Sequence, residues 1–255
     1  MSESVGRALV DAIERVDDFF DGVFSPLQDW LPELEPQISG WMKDGTLSGA
    51  QLAALVEADV SRILDSTERP LYGAGYCASD EVVTEGNPLA WWQGPERSLL
   101  ASSTFGPGQA AIDLVRLEWY RVPAATGERH VAGPFVDYLC SNEITITSAM
   151  PVEVDGKFCG VICADVIVAS LEQVLLPRVA ELVDATLVNF GGRVVVSTDP
   201  SYETGDRYAG ADPETGIAGL GDASDAAVRV ARSERYPFAL VTPDTFMRLT
   251  SFLTS

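Results

Sequence analysis

"ITITSAMPVEVDGKFCGVICADVIV", residues 144–168, sets two runs of β-branched and apolar residues on either side of Asp155-Gly156. Asp-Gly tolerates the positive φ angles of a tight two-residue turn, so the stretch is expected to fold back on itself as an antiparallel hairpin. Upstream, "LYGAGYCA" (71–78) and "RSLLASS" (97–103) are further short runs broken by Gly, Pro and Asn. Together they read as an antiparallel sheet beginning near residue 70. Downstream, "SLEQVLLPRVAEL" (170–182) reads as a helix in which Pro177 marks a kink or a new start. "DATLVNFGGRVVVSTDP" (184–200) is a second strand, turn and strand, with Gly191-Gly192 at the turn. A Gly- and Asp-rich loop, 203–223, leads to an expected short helix around Ala226 to Arg232 and a last strand, "YPFALVT" (236–242).

The chain before residue 68 has a different period. Val5, Leu9, Ile13, Val16, Phe20 and Val23 recur every three or four residues, the stripe of an amphipathic helix over 5–24. That stripe must be covered, by the chain's own core or by a second copy, so a homodimer through this helix is one expectation. Pro26, Pro32 and Pro36 are expected to break the helix. A second helix opens in "LSGAQLAALVEADVSRILD" (47–65), with Ser48 as N-cap and Gln51 three residues on. The fold class is therefore α+β. The expected division is an N-terminal helical region, 1–67, a sheet module, 68–175, and a smaller second α+β module with the C-terminal tail, 176–255.

Composition narrows the function. The 38 acidic side chains outnumber the 17 Lys and Arg, giving a net charge of −21, and such a surface repels phosphate backbones and anionic lipid. No direct nucleic-acid partner and no membrane partner is expected. Residues 1–20 lack a basic n-region followed by an apolar stretch, and no window approaches a membrane span, so the expected location is the cytoplasm. Cys77, Cys140, Cys159 and Cys163 would stay reduced there, and with one histidine in the chain no metal half-sites assemble. No cofactor is expected. No G-x-S-x-G elbow, phosphate loop or dinucleotide fingerprint occurs, and His130, the one imidazole, lies in an expected turn, "GERHVAG" (127–133). A non-enzyme is the better reading, although the many acids leave a paired-carboxylate hydrolase open.

A small-molecule site has more support. Trp91, Trp92, Trp119, Tyr120 and Tyr138 are interleaved with Glu118, Asp137 and Asp165. Each aromatic is equally readable as core packing. In combination, aromatic faces and carboxylates suit an ammonium group, the rings through their quadrupole and the acids through charge-assisted hydrogen bonds. Asp165 stands at the end of an apolar strand and needs partners there, either backbone donors of the helix that follows or a ligand cation.

From Glu118 to Leu175 the order of parts resembles the Cache domains, the PAS-like sensor domains of bacterial receptors. A Trp-Tyr pair and a Pro-containing loop are followed by a Gly-Pro turn, a strand, "ITITSAMPV", the "DGKFCGV" hairpin, and "ADV" running into a helix. The resemblance implies a double-Cache-like arrangement, with a long N-terminal helix, a PAS-like ligand-binding module and a smaller second module, here as a free-standing sensor. In amino-acid-binding members an Arg two residues before the Trp grips the ligand carboxylate, while a Tyr and the Asp of the "AD" strand end hold its amino group. Carried over, Trp119, Tyr120 and Asp165 match, and Asp137 or Tyr138 fills the intermediate strand position. The arginine does not match: Leu117 stands there, and Arg116 would face the other way on a strand.

The resemblance therefore implies a sensor of a primary amine, polyamine or amino acid. Trp119 and Tyr120 would wall its cationic end, and Asp165 and Asp137 would balance the charge. Glu118, Tyr138 and Trp92 are further candidates, with Arg121 or His130 available to an anionic group. A separate regulator or metabolic enzyme is the expected partner. Two other readings are an enzyme that acts on a small metabolite through paired carboxylates and a structural dimerisation module.

Overall fold

The computed structural model describes residues 2–66, 69–100, 113–137, 143–179, 182–221 and 228–243. It is α+β. Helix α1 (Ser2–Asp44) is followed by β1 (Leu47–Ser48), α2 (Gly49–Ser66), β2 (Leu71–Ala78), β3 (Val83–Glu85), β4 (Leu89–Gln93) and β5 (Ser98–Leu99). Next come α3 (Glu118–Thr126), β6 (His130–Val136), β7 (Ile144–Val154), β8 (Lys157–Ile167) and α4 (Val168–Val179). The described chain ends with β9 (Thr186–Asn189), β10 (Val194–Ser197), β11 (Val228–Arg232) and β12 (Phe238–Pro243).

Helix α1 does not break at Pro26, Pro32 and Pro36; all three lie inside it. The apolar stripe explains why. It continues past Val23 through Leu27, Trp30, Leu34 and Ile38, each buried, while Pro32 and Pro36 are exposed. A proline inside a helix costs about 3 kcal/mol, and burying several large side chains at about 1.5–3 kcal/mol each outweighs it. Leu9, Ile13 and Phe20 are buried within the chain itself, so the stripe is not left open for a second copy.

Helix α2 starts as its sequence dictates. Gln51 Oε1 accepts from the Ser48 backbone N–H at 2.9 Å, and the Gln51 N–H donates to Ser48 Oγ at 3.3 Å, a reciprocal cap.

The chain forms two compact units. One contains residues 20–132 and 136–167, the other residues 1–19, 133–135 and 168–255. The first unit is built on a six-stranded sheet in the order β5-β4-β2-β8-β7-β6. Its centre is the expected hairpin: β7 and β8 pair antiparallel over their length, with Val154 opposite Lys157 and positive φ at Asp155 and Gly156. The second unit has a four-stranded sheet, β10-β9-β12-β11, with Val188, Val194, Ile217, Ala239 and Val241 in its core. There the buried Asp17 accepts hydrogen bonds from Ser233 Oγ and from Arg235 Nε, the latter at 3.3 Å. Two expectations are corrected. The segment to Arg232 is a strand from Val228, because Val228 to Arg232 pair with β12. His130 opens strand β6 instead of lying in a turn.

Candidate functional site

The faces of the central sheet follow from its register, because directly paired residues project to the same side. Asp165 pairs with Thr147 on β7 and with Gly73 on β2, and Gly73 pairs with Gln93 on β4. Two residues along each strand, Cys163, Ala149, Gly75 and Trp91 form the next row on that face. The intervening row, Trp92, Ala74, Ala164 and Ser148, projects to the opposite face. Of the two adjacent tryptophans it is therefore Trp91 that shares the face with Asp165, and the sheet does not bring Trp92 to it.

Gly73 and Gly75 make room for that ring. A Cβ at Gly73 would lie 2.9 Å from Trp91 Nε1, and one at Gly75 would lie 2.9 Å from Trp91 Cε3, so the indole extends over both glycines.

A bulge in β8 brings α3 to the same face. Val152 pairs with Gly160, but the next residue, Glu153, pairs with Phe158, so β8 carries one residue more than β7. With Cys159 in regular alternation Phe158 would share the face of Gly160; because Cys159 is bulged out of the ladder, Phe158 joins Glu153 on the Asp165 face. There its ring meets Tyr120 edge-on at 5.4 Å, and Tyr120 in turn meets Trp119 at 6.3 Å and 75°. Trp119 and Tyr120 are both buried. They stand on the first turn of a helix and not on a strand, as the sequence had suggested. Leu117 caps that helix through its backbone, and the left-handed Gly127 ends it.

Asp165 is the chemically distinctive group. Its carboxyl is buried, and Oδ1 accepts from Thr147 Oγ1 at 2.6 Å. Burial pushes it up to about 7, the Thr147 hydrogen bond opposes that shift, and the charge of Asp137 adds to it. Asp137 is also buried, with its backbone N–H bound to Glu143 O at 2.9 Å. Burial also holds the Tyr120 phenol well above its ordinary range, with the neighbouring Cys77 and Asp80 adding to the shift.

Other expected site residues fall elsewhere. Glu118, about half exposed, is spent on His130, whose Nε2 lies 2.9 Å from Glu118 Oε1. Arg121 is exposed. Arg116 is almost fully exposed in a short 3-10 turn and pairs with Asp113 at 2.7 Å. Tyr138 and Cys140 lie outside the described residues. Cys77, Cys159 and Cys163 are free, buried thiols. Among the described residues no helix is long and apolar enough to cross a membrane.

No family model matches the chain. A stretch of 122 residues, 46% of the chain, is 29% identical to the methyl-accepting chemotaxis protein TlpQ of Pseudomonas aeruginosa, and spans 16% of that protein's length. Similarity of structure extends much further. The ligand-binding domain of the Campylobacter jejuni chemoreceptor Tlp3, in complex with L-valine, superposes with a TM-score of 0.55 at 12% identity, over 94% of this chain and 92% of that one. The Tlp3 sensory domain (CcmL) gives 0.56 at 12% identity over 94% and 93%. The extracellular domain of the putative histidine kinase mmHK1S-Z3 gives 0.54 at 14% identity over 98% and 97%.

The fold is that of a Cache-type, PAS-like sensory domain. Within this fold Asp165, Trp91, Gln93, Thr147 and the two glycines share one sheet face, and Tyr120 meets that face at Phe158, toward the hairpin turn. The sequence does carry one signal for that group. Gly73 and Gly75 alternate in "LYGAGYCA", which marks a strand face left open for something bulky.

Proposed function

We propose that this chain is a ligand-sensing domain whose ligand is a primary amine, polyamine or related amino compound bound on the Asp165 face. The observation that carries this reading is the buried Asp165 carboxyl, which at its value of about 7 is only about half ionised at neutral pH. An ammonium group supplies the missing counter-charge and draws the carboxyl fully into its charged form. Trp119 and Tyr120 offer the aromatic wall, and the buried Asp137 offers a second negative group.

A free α-carboxylate on the ligand is less well served. Leu117 occupies the place where a carboxylate-binding arginine is expected, and Arg116 beside it is turned to solvent and engaged with Asp113. The Tlp3 domain has been solved in complex with L-valine and with isoleucine bound, which supports small amino compounds as the class and keeps amino acids as the second reading. We take the domain to be non-catalytic and to report through a separate protein. The free thiols suit a reducing cytoplasm, a placement that fusions to compartment-dependent reporters would test.

The functional test is thermal denaturation against a panel of monoamines, diamines, amino acids and carboxylates, since a ligand of the native state raises the midpoint by mass action. Amines are expected to raise it in the wild type and not in Asp165→Asn. A panel in which only carboxylates act would refute the reading. So would product formation from an amine that stops in Asp165→Asn while binding persists, which is the outcome for an enzyme.

A further inference from the structure

Trp91 Nε1 and Gln93 Oε1 are both buried and have no hydrogen-bond partner among the described residues. A buried, unmade hydrogen bond costs about 1–3 kcal/mol, so two on one strand call for an explanation. Thr145 Oγ1, Ser148 Oγ and Trp30 Nε1 are unpaired as well, but Ser148 lies on the other sheet face, Trp30 on α1, and Thr145, on the Asp165 face, stands by itself on β7, three strands from β4. Trp91 and Gln93 differ in forming a set. They are two residues apart on β4, they project to the Asp165 face, and one is a donor while the other is an acceptor.

They also crowd together onto Gly73. A Cβ at Gly73 would come within 2.9 Å of Trp91 Nε1 and 3.2 Å of Gln93 Cβ. The indole N–H thus hangs over Gly73, whose paired neighbour on the next strand is Asp165. Strands lie about 4.8 Å apart, so the unpaired donor sits roughly 5 Å from the Asp165 column.

We propose that Trp91 and Gln93 form a second anchor for the same ligand, reading a neutral group that both accepts and donates a hydrogen bond, such as a hydroxyl or carboxamide, about 5–6 Å from the ammonium nitrogen. This rests on the amine reading of Asp165. The ligand lies against the edge of the Trp91 indole that covers Gly73, its ammonium at Asp165 and its neutral end accepting from Trp91 Nε1 and donating to Gln93 Oε1. A purely apolar end leaves both groups unmade, and a second ammonium satisfies Gln93 but not the indole N–H.

Isothermal titration of aminobutanol, aminobutanamide and pentylamine, the last matching aminobutanol in length with a methyl in place of the hydroxyl, tests this. The wild type is expected to bind the two functionalised amines about tenfold more tightly than pentylamine. Trp91→Phe keeps a ring over the glycines without its N–H, and Gln93→Leu keeps bulk without the amide. Each should erase most of that preference while leaving pentylamine affinity within about twofold. Asp165→Asn should abolish binding of all three. Equal wild-type affinity for pentylamine and aminobutanol would overturn the second anchor and leave the amine reading standing. A preference that survives both variants, or a parallel loss of pentylamine binding in them, would also overturn it. Amines that fail to bind, or that bind Asp165→Asn as well as wild type, would remove both proposals together.

Discussion

Replacing Asp165 by Asn should make the ligand-free protein more stable, by an amount that depends on pH. An aspartate in the unfolded chain titrates at 3.8, whereas in the native state Asp165 is raised to about 7. The native state therefore holds its proton more tightly than the unfolded state does. The stability carried by that proton is fully present below about pH 4, declines as pH rises through 7, and is gone by about pH 8. Three pKa units at about 1.4 kcal/mol each set a ceiling near 4 kcal/mol. Asn cannot ionise, so it escapes this loss, and its side-chain oxygen can still accept from Thr147 Oγ1. Its amide N–H groups need acceptors in a buried setting, which offsets part of the gain. A net stabilisation of roughly 1–3 kcal/mol at pH 8 is expected, which at about 2–4 °C per kcal/mol for a chain of this size raises the melting midpoint by several degrees. Melts of both proteins followed by circular dichroism from about pH 4.5 to 8.5 give the difference directly. A difference that does not grow with pH, or an Asn variant destabilised equally at both ends, would refute the picture of a desolvated, titrating carboxyl.

Amine affinity should rise between about pH 6 and 8, as Asp165 ionises, with protons released on binding near pH 7; calorimetry in buffers of different ionisation enthalpy reads both. Gly75→Ala should cost several kcal/mol, because its Cβ would lie 2.2 Å from Ala90 O, a backbone atom that cannot swing aside; the urea midpoint measures this. Ser48→Ala should cost about 1 kcal/mol through the lost cap of α2, seen in the same unfolding assay.

The elements easiest to read in the sequence were those fixed by a few adjacent residues. Asp155-Gly156 specifies a hairpin, and Ser48 with Gln51 specifies a helix start, whatever the rest of the chain does. Features settled by distant partners were not legible. Pro26, Pro32 and Pro36 argue locally for a break, and only the burial of the opposite face decides against it. Val228 to Arg232 take strand geometry because β12 offers them a ladder. At the site, Asp165 stood out as an acid at the end of an apolar run. The choice between Trp91 and Trp92 depends on how β4 registers against β2, which no local pattern records, and Glu118 looked available only because its partnership with His130 spans twelve positions of sequence.

The extra residue in β8 acts as a phase shift. Everything on the Asp165 side of Cys159 and Gly160 keeps one odd-even assignment of faces, and everything toward the Asp155-Gly156 turn keeps the other. The turn end of the hairpin can thus hold Phe158 against Tyr120 while the far end holds Asp165 beneath the same helix-bearing face. Inserting one residue into β7 between Val152 and Glu153 would give Cys159 a partner and keep both strands paired, but would turn Glu153 and Phe158 to the opposite face, whereas deleting Cys159 would leave every present pairing in place. The contact of Phe158 with Tyr120 is therefore tied to β8 carrying one residue more than β7, and an insertion in β7 that evened the count would damage it more than many substitutions.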